Sequence, residues 1–361
     1  MSNASELLQL DLQLTQGKFH LQCQLNLPAS GFTVICGRSG CGKTTLLRCI
    51  AGLTRAQGAV RFKNIDWQHE KKFLPAWQRP IAYVFQQPTL FPHLTVRDNL
   101  LFALKRVPPA ERRISLDDAV NWLGLENLLD RKPNALSGGQ QQRAAVARSL
   151  LANPALLLMD EPLASLDIDS KLEILPYLER LRSQLGIPVI YVTHAPDEMS
   201  RLADQLVLME EGRVLAHGAL NALLTNPNLP LTQHQEAAAV LDAVIEAHDA
   251  HYHLTQLRVG SAVLLVPLSP LPIGSHTRIR ILARNVSIAL DAPLHSSIQN
   301  CLQAKIVDIQ IHQQEADALV RLAMDDAVLL SRITRRAVDQ LQLQAGMTVY
   351  AQVKAIALIP H

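Results

Sequence analysis

The chain has 361 residues, 48% hydrophobic and 18% charged, with a formal net charge of +2. That length allows two domains, and the near-neutral charge argues against a nucleic-acid partner, which would need a strongly basic face. No apolar run reaches the ~20 residues that span a bilayer, and the five cysteines (Cys23, Cys36, Cys41, Cys49, Cys301) show no CxxC spacing, which fits a reducing compartment better than a disulfide framework or a zinc site.

The N-terminus, MSNASELLQLDLQLTQ, has no basic residue and carries Glu6 and Asp11, so it reads as a poor signal peptide. Any link to a membrane is expected through a partner. Apolar runs at residues 33–36, 81–85, 155–159, 188–192 and 205–209 read as buried strands. Helical stretches at 43–52 and 140–152 alternate with them, which predicts a parallel sheet with helices on its faces. A helical insertion is expected at about 95–150. Within it, residues 108–135 are Pro-rich and then helical through DDAVNWLGLENLLD. Residues 220–236 read as loop.

Beyond them the period changes to two. Ile279 and Ile281 alternate with Arg278 and Arg280; Val349, Ala351 and Val353 alternate with Tyr350, Gln352 and Lys354. Half-buried antiparallel strands read this way. One helix is expected among them, with Ser331 as its cap and Ile333, Ala337 and Leu341 on one face.

The run GRSGCGKTT comprises Gly37, Arg38, Ser39, Gly40, Cys41, Gly42, Lys43, Thr44 and Thr45. It follows the strand TVIC and opens a helix, so G-x-x-x-x-G-K-[ST] stands in the context it needs. Glycines let backbone N–H groups turn toward phosphate oxygens, and the positive end of the helix adds attraction. Lys43 can reach β- and γ-phosphates, and the Thr44 hydroxyl can coordinate Mg²⁺. Cys41 reads either as a reactive thiol lowered by the helix N-terminus or as a small residue at a tolerant position.

LLLMDEP is a buried strand ending in two carboxylates, and such a strand delivers its carboxyl end to a nucleotide crevice. Asp160 is expected to hold Mg²⁺ through its water shell, and Glu161 to polarise an attacking water. The plainer reading is an acidic helix start.

LSGGQ, with Ser137, Gly138, Gly139 and Gln140, makes a second exposed helix N-terminus. One nucleotide does not easily need two such devices from one chain. The economical reading is that each chain offers LSGGQ to the nucleotide of another. LSGGQ between these two phosphate-site motifs resembles the ABC ATPase family. The resemblance implies a P-loop NTPase fold, α/β with a helical subdomain, and ATP with Mg²⁺. It gives Gln86 in YVFQQP the role of a glutamine that contacts Mg²⁺ and senses a permease. Ser165, Leu166 and Asp167 take the place of the D-loop, and His194 in YVTH that of a histidine on the γ-phosphate. Plainer readings remain: Gln86 as a surface amide, Asp167 as a helix cap, His194 as a satisfied strand-end residue. Phe19 either stacks on adenine or packs in the core. The resemblance also implies a head-to-tail homodimer on a membrane permease dimer, at the cytoplasmic face of the bacterial inner membrane, supplied by a periplasmic binding protein.

The runs SSIQNCLQAKIVDI and MTVYAQVKAIALI resemble the start and end of a Mop/TOBE-like, OB-like β domain, and DEPLASLDI and FPHLTVRDNL are similar to molybdate importer ATPases. The expected division is 1–235 for the ATPase, 236–290 for a linker and first β segment, and 291–361 for the Mop/TOBE-like domain. The family pattern implies an oxyanion site for which Ser297 and Lys354 remain candidates, since a tetrahedral dianion needs a cation and a donor. Gln299 and Ala355 replace the usual Arg and Ser, so a purely structural dimerisation role stands beside the regulatory one. A related importer of sulfate, iron or sugar is the competing substrate reading.

Overall fold

Buried Leu8, Leu10 and Leu12 alternate with more exposed residues along Leu7–Gln16, and Leu21, Cys23, Leu25 and Leu27 do the same along Phe19–Pro28. The two strands pair antiparallel from Leu7↔Pro28 to Gln16↔Phe19, around Gly17 at φ +60°. This computed structural model describes residues 7–233, 236–292, 295–311, 316–325, 327–353 and 357–358, in two compact units, Met1–Gly218 and Ala219–His361.

The first unit holds an eleven-stranded sheet. Its parallel part runs Gln205–Glu210, Phe32–Cys36, Val189–Val192, Leu156–Asp160, Ile81–Val84. Every residue of Phe32–Cys36 is buried, as a strand covered on both faces requires. All five expected strands are present. The sheet is mixed, however, rather than parallel throughout. Leu7–Gln16 and Phe19–Pro28 join Gln57–Phe62, Ile65–His69 and Lys72–Phe73 in an antiparallel arm.

The helix Lys43–Ala51 leaves the strand Phe32–Cys36 through a glycine-rich loop and stops at Gly52, in the left-handed region at φ +74°. Its last carbonyls are satisfied by a buried guanidinium. Arg79 donates from Nη1 to the Cys49 and Ile50 oxygens at 2.9 and 2.6 Å, and from Nε to Leu74 O at 2.7 Å. Burial lowers the Arg79 pKa to about 10. The helical insertion contains Val96–Leu104, Leu116–Trp122 and Gly138–Leu151, each headed by a capping hydroxyl from Thr95, Ser115 or Ser137.

Among the described residues, the second unit holds two five-stranded sheets. One contains Ala238–Asp249, Leu254–Val259, Ala262–Pro267, His276–Leu282 and Ala357–Leu358; the other Val286–Ala289, Asn300–Ile311, Asp317–Met324, Ala327–Thr334 and Thr348–Val353. Leu241, Ile245, Leu257, Ile279 and Ile281 share one core with Leu302, Ile306, Val320, Leu322 and Val349. The period-two residues thus face inward. Two expectations need correction. Ser331 is not a cap. It is buried inside the strand Ala327–Thr334 and donates to Val286 O at 2.6 Å. The helix is Arg335–Gln340, capped by Thr334, whose Oγ1 accepts from Ala337 N at 3.2 Å. Residues 220–236 are not wholly loop, since Leu220–Leu224 and Pro230–Gln233 form short helices. Among the described residues, no helix is long and apolar enough to cross a membrane.

Candidate nucleotide site

The parallel strands end at one cleft, where an open α/β sheet binds ligands. Its volume is about 490 Å³, and its lining includes Gln16, Phe19, Ser39, Gly40, Gly42, Lys43, Thr44, Thr45, Gln86, Asp160 and Glu161. Two glycines are required by close approach. A Cβ on Gly37 would lie 2.2 Å from Met209 O, and one on Gly42, at φ +103°, would lie 2.6 Å from Phe19 Cζ. Phe19 therefore packs on the loop and lines the cleft at once. Of the predicted loop residues, Gly37, Arg38 and Cys41 are not in the lining. Cys41 is buried, and its N–H closes the loop onto Arg38 O at 3.2 Å.

Lys43 is 4% exposed, and its Nζ donates to Gly37 O at 3.0 Å and Arg38 O at 3.1 Å. Nζ also lies 3.6 Å from Glu161 Oε1, so the loop's own carbonyls hold the cation at the cleft. The Asp160 carboxylate is engaged on both oxygens. Thr44 Oγ1 donates to Oδ1 at 2.9 Å, and the Tyr83 hydroxyl to Oδ2 at 2.8 Å. Burial, reinforced by Asp160, pushes the Tyr83 phenol well above its ordinary range, so it serves as a donor. Sequence reading missed Tyr83; the only signal was a hydroxyl in an apolar strand.

Glu161 takes φ +44°, a left-handed conformation uncommon outside glycine. It is not a helix start, since the next helix begins at Ile168. The turn aims its carboxylate so that Oε1 stands 3.6 Å from both Lys43 Nζ and His194 Nδ1. His194 is 63% exposed. Its flanks are fixed by a buried group that sequence reading missed. Glu198 Oε2 accepts from Tyr191 OH at 2.9 Å and Thr193 Oγ1 at 2.7 Å, and Thr193 Oγ1 accepts from Ala195 N at 3.1 Å.

The structure does not bring the remaining candidates into this lining. Ser137 and Gln140 form a reciprocal capping box at 3.2 Å on the helix Gly138–Leu151, with Ser137 and Gly138 exposed, Gln140 half-buried and Gly139 buried. Asp167 caps Ile168–Gln184, accepting Ser170 N and Oγ at 2.8 Å each, and these bonds hold its carboxyl below the usual range. Ser165 Oγ donates to the backbone oxygen of Gln86 at 3.5 Å. In the second unit Ser297 and Gln299 are exposed, while Lys354 and Ala355 lie outside the described residues. Asn300 pairs with the Leu265 backbone, accepting its N–H at 2.6 Å and donating to its oxygen at 2.9 Å.

Residues 21–164 match the ABC transporter family and residues 296–360 the TOBE domain family. The chain is 52% identical over 345 residues to the molybdenum import ATP-binding protein of Hahella chejuensis, covering 95% of this chain and 96% of the relative. It is 49% identical to a second such protein, from Azotobacter vinelandii, over 98% of each. Among solved structures it resembles cbiO1 of Clostridium perfringens, described as part of an ABC transporter complex. The TM-score is 0.53 at 28% identity, over 61% of this chain and 91% of that one. Fold, cleft and family match together define an ATP-binding cassette of the ABC transporter class. Within that class the chain belongs to the family of molybdenum import ATP-binding proteins.

Proposed function

We propose that the chain is the ATP-hydrolysing subunit of a molybdate importer. The observation that carries this reading is the meeting of Lys43, Thr44, Asp160 and Glu161 in one cleft behind a glycine-rich loop. The names of relatives similar over nearly the whole chain support molybdate over sulfate, iron or sugar. Hydrolysis belongs to residues 1–235 and any oxyanion sensing to 291–361.

ATP places its phosphates on the loop N–H groups of residues 37–45, with Lys43 on the β- and γ-phosphates. Thr44 and Asp160 supply hard oxygens 2.9 Å apart, and Gln86 lines the same cleft. This donor set fits Mg²⁺. These three residues would hold the ion, which when bound neutralises charge on the phosphates. Glu161 takes the proton of the attacking water. Its carboxylate is kept in place by Lys43 on one side and His194 on the other. His194 contacts the γ-phosphate. Ser137, Gly138, Gly139, Gln140 and Asp167 complete the site across a homodimer, which accounts for their position outside their own chain's cleft lining. The dimer works beneath a permease dimer at the cytoplasmic face of the bacterial inner membrane, fed by a periplasmic molybdate-binding protein.

The test is ATP hydrolysis by the chain assembled with its permease in liposomes. Stimulation by molybdate-loaded binding protein is expected; stimulation by sulfate alone would overturn the substrate reading. Ser297 and Lys354 remain the candidates for a regulatory oxyanion site. Calorimetry of molybdate on the whole chain, with Ser297→Ala alongside, should show heat that the variant loses. No heat in the unaltered chain would leave that domain a structural role.

A further inference from the structure

A carboxylate turns readily about its last torsion, whose energy wells are broad and two-fold. One hydrogen bond therefore does not fix the plane of Asp160. The second one does: Tyr83 OH takes Oδ2 at 2.8 Å while Thr44 takes Oδ1 at 2.9 Å. The phenol is itself steadied, since the Tyr83 and Phe85 rings lie 4.5 Å apart. The strand carrying it, Ile81–Val84, lies directly beside Leu156–Asp160 in the sheet. It leads into Gln86, the other proposed ion-binding residue, and Phe85 O accepts from Gln142 Nε2 at 3.3 Å, on the helix headed by Ser137.

We infer that Tyr83 is a positioning residue for the cation site, orienting Asp160 so that one oxygen stays turned to the Thr44 side. This rests on the reading of Thr44 and Asp160 as holders of Mg²⁺. Tyr83 contacts neither nucleotide nor ion in this role. It acts through the carboxylate, as hydrogen-bonding partners of metal ligands generally do.

The test is a Mg²⁺ titration of the full chain with a fluorescent ATP analogue, read as binding and not as turnover, for the unaltered chain, Tyr83→Phe and Thr44→Ala. Tyr83→Phe keeps the ring against Phe85 and removes one donor. It should raise the half-saturating Mg²⁺ about tenfold while leaving nucleotide affinity in EDTA unchanged. Thr44→Ala should raise it too. If Thr44→Ala shifts the titration and Tyr83→Phe does not, Tyr83 has no positioning role although the cation site stands. If neither shifts it, the cation site itself is misassigned. If Tyr83→Phe weakens binding equally in EDTA, its role is general packing and the inference falls.

Discussion

The carboxylate of Glu198 accepts the Thr193 hydroxyl at 2.7 Å, one residue before His194 and five before Glu198 itself. With the Tyr191 hydroxyl on the same oxygen, it fixes the turn that presents the histidine. Removing the acceptor by Glu198→Ala leaves two hydroxyls short of a partner in the interior. The expected cost is about 2–4 kcal/mol, read as a lower denaturant midpoint, with Glu198→Gln recovering part of it through its amide oxygen. Equal midpoints for Glu198→Ala and the unaltered chain would show that the turn is held by something else.

Glu161→Gln keeps the shape of the side chain and removes its basicity. ATP binding should persist while hydrolysis falls about 100-fold or more, and the chain should run as a dimer with ATP in size-exclusion chromatography. Hydrolysis at the unaltered rate would take the water-activating role away from Glu161.

Burial raises the thiol pKa values of Cys23 and Cys36 to about 12, and that of Cys49 to about 11. A raised thiol pKa means less thiolate at any given pH. At pH 8 the ionised fraction of the first two is on the order of 10⁻⁴. Burial also raises the Cys301 thiol, but it is half-buried where the other three are buried, so in the native chain it should react with iodoacetamide before Cys23, Cys36 or Cys49, as peptide mass spectrometry would record. Early labelling of Cys36 would mean that the strand Phe32–Cys36 opens in solution.

Asn300 supplies both a donor and an acceptor to Leu265, so its side chain does for that strand what a neighbouring backbone would. Asn300→Ala should destabilise the second unit by about 1–3 kcal/mol. Differential scanning calorimetry of the whole chain is the measurement. An unchanged thermogram would mean that water replaces the amide without cost.

The phosphate loop and the DE pair were legible because phosphate chemistry imposes their spacing. A strand, six loop residues and a lysine read the same in any context that binds a nucleotide. Tyr83 and Glu198 were not. Tyr83 meets Asp160 across 77 positions of sequence, and no spacing rule links a strand hydroxyl to a distant carboxylate. Glu198 is close in sequence to its partners, but only the folded turn buries it. The antiparallel arm shows a related gap. Alternating leucines at 8, 10 and 12 assign an inward face, yet alternation names no neighbouring strand. Ser331 and Thr334 illustrate it at a helix start. Both hydroxyls precede the helix, and burial of Ser331 against Val286 O leaves the capping to Thr334.

The helix Lys43–Ala51 has a loop built for negative charge at one end and the Arg79 guanidinium on its last carbonyls at the other. The aligned peptide dipoles between them favour both charges in the same sense. A methyl group at Gly52 would fall 2.6 Å from Arg79 Nε, displacing that cation. Gly52→Ala should therefore leave the last carbonyls of the helix without their cation, a local effect at the end opposite the phosphate loop. The tolerance of that position to substitution is set by a side chain from outside the helix, the Arg79 guanidinium that closes its last turn.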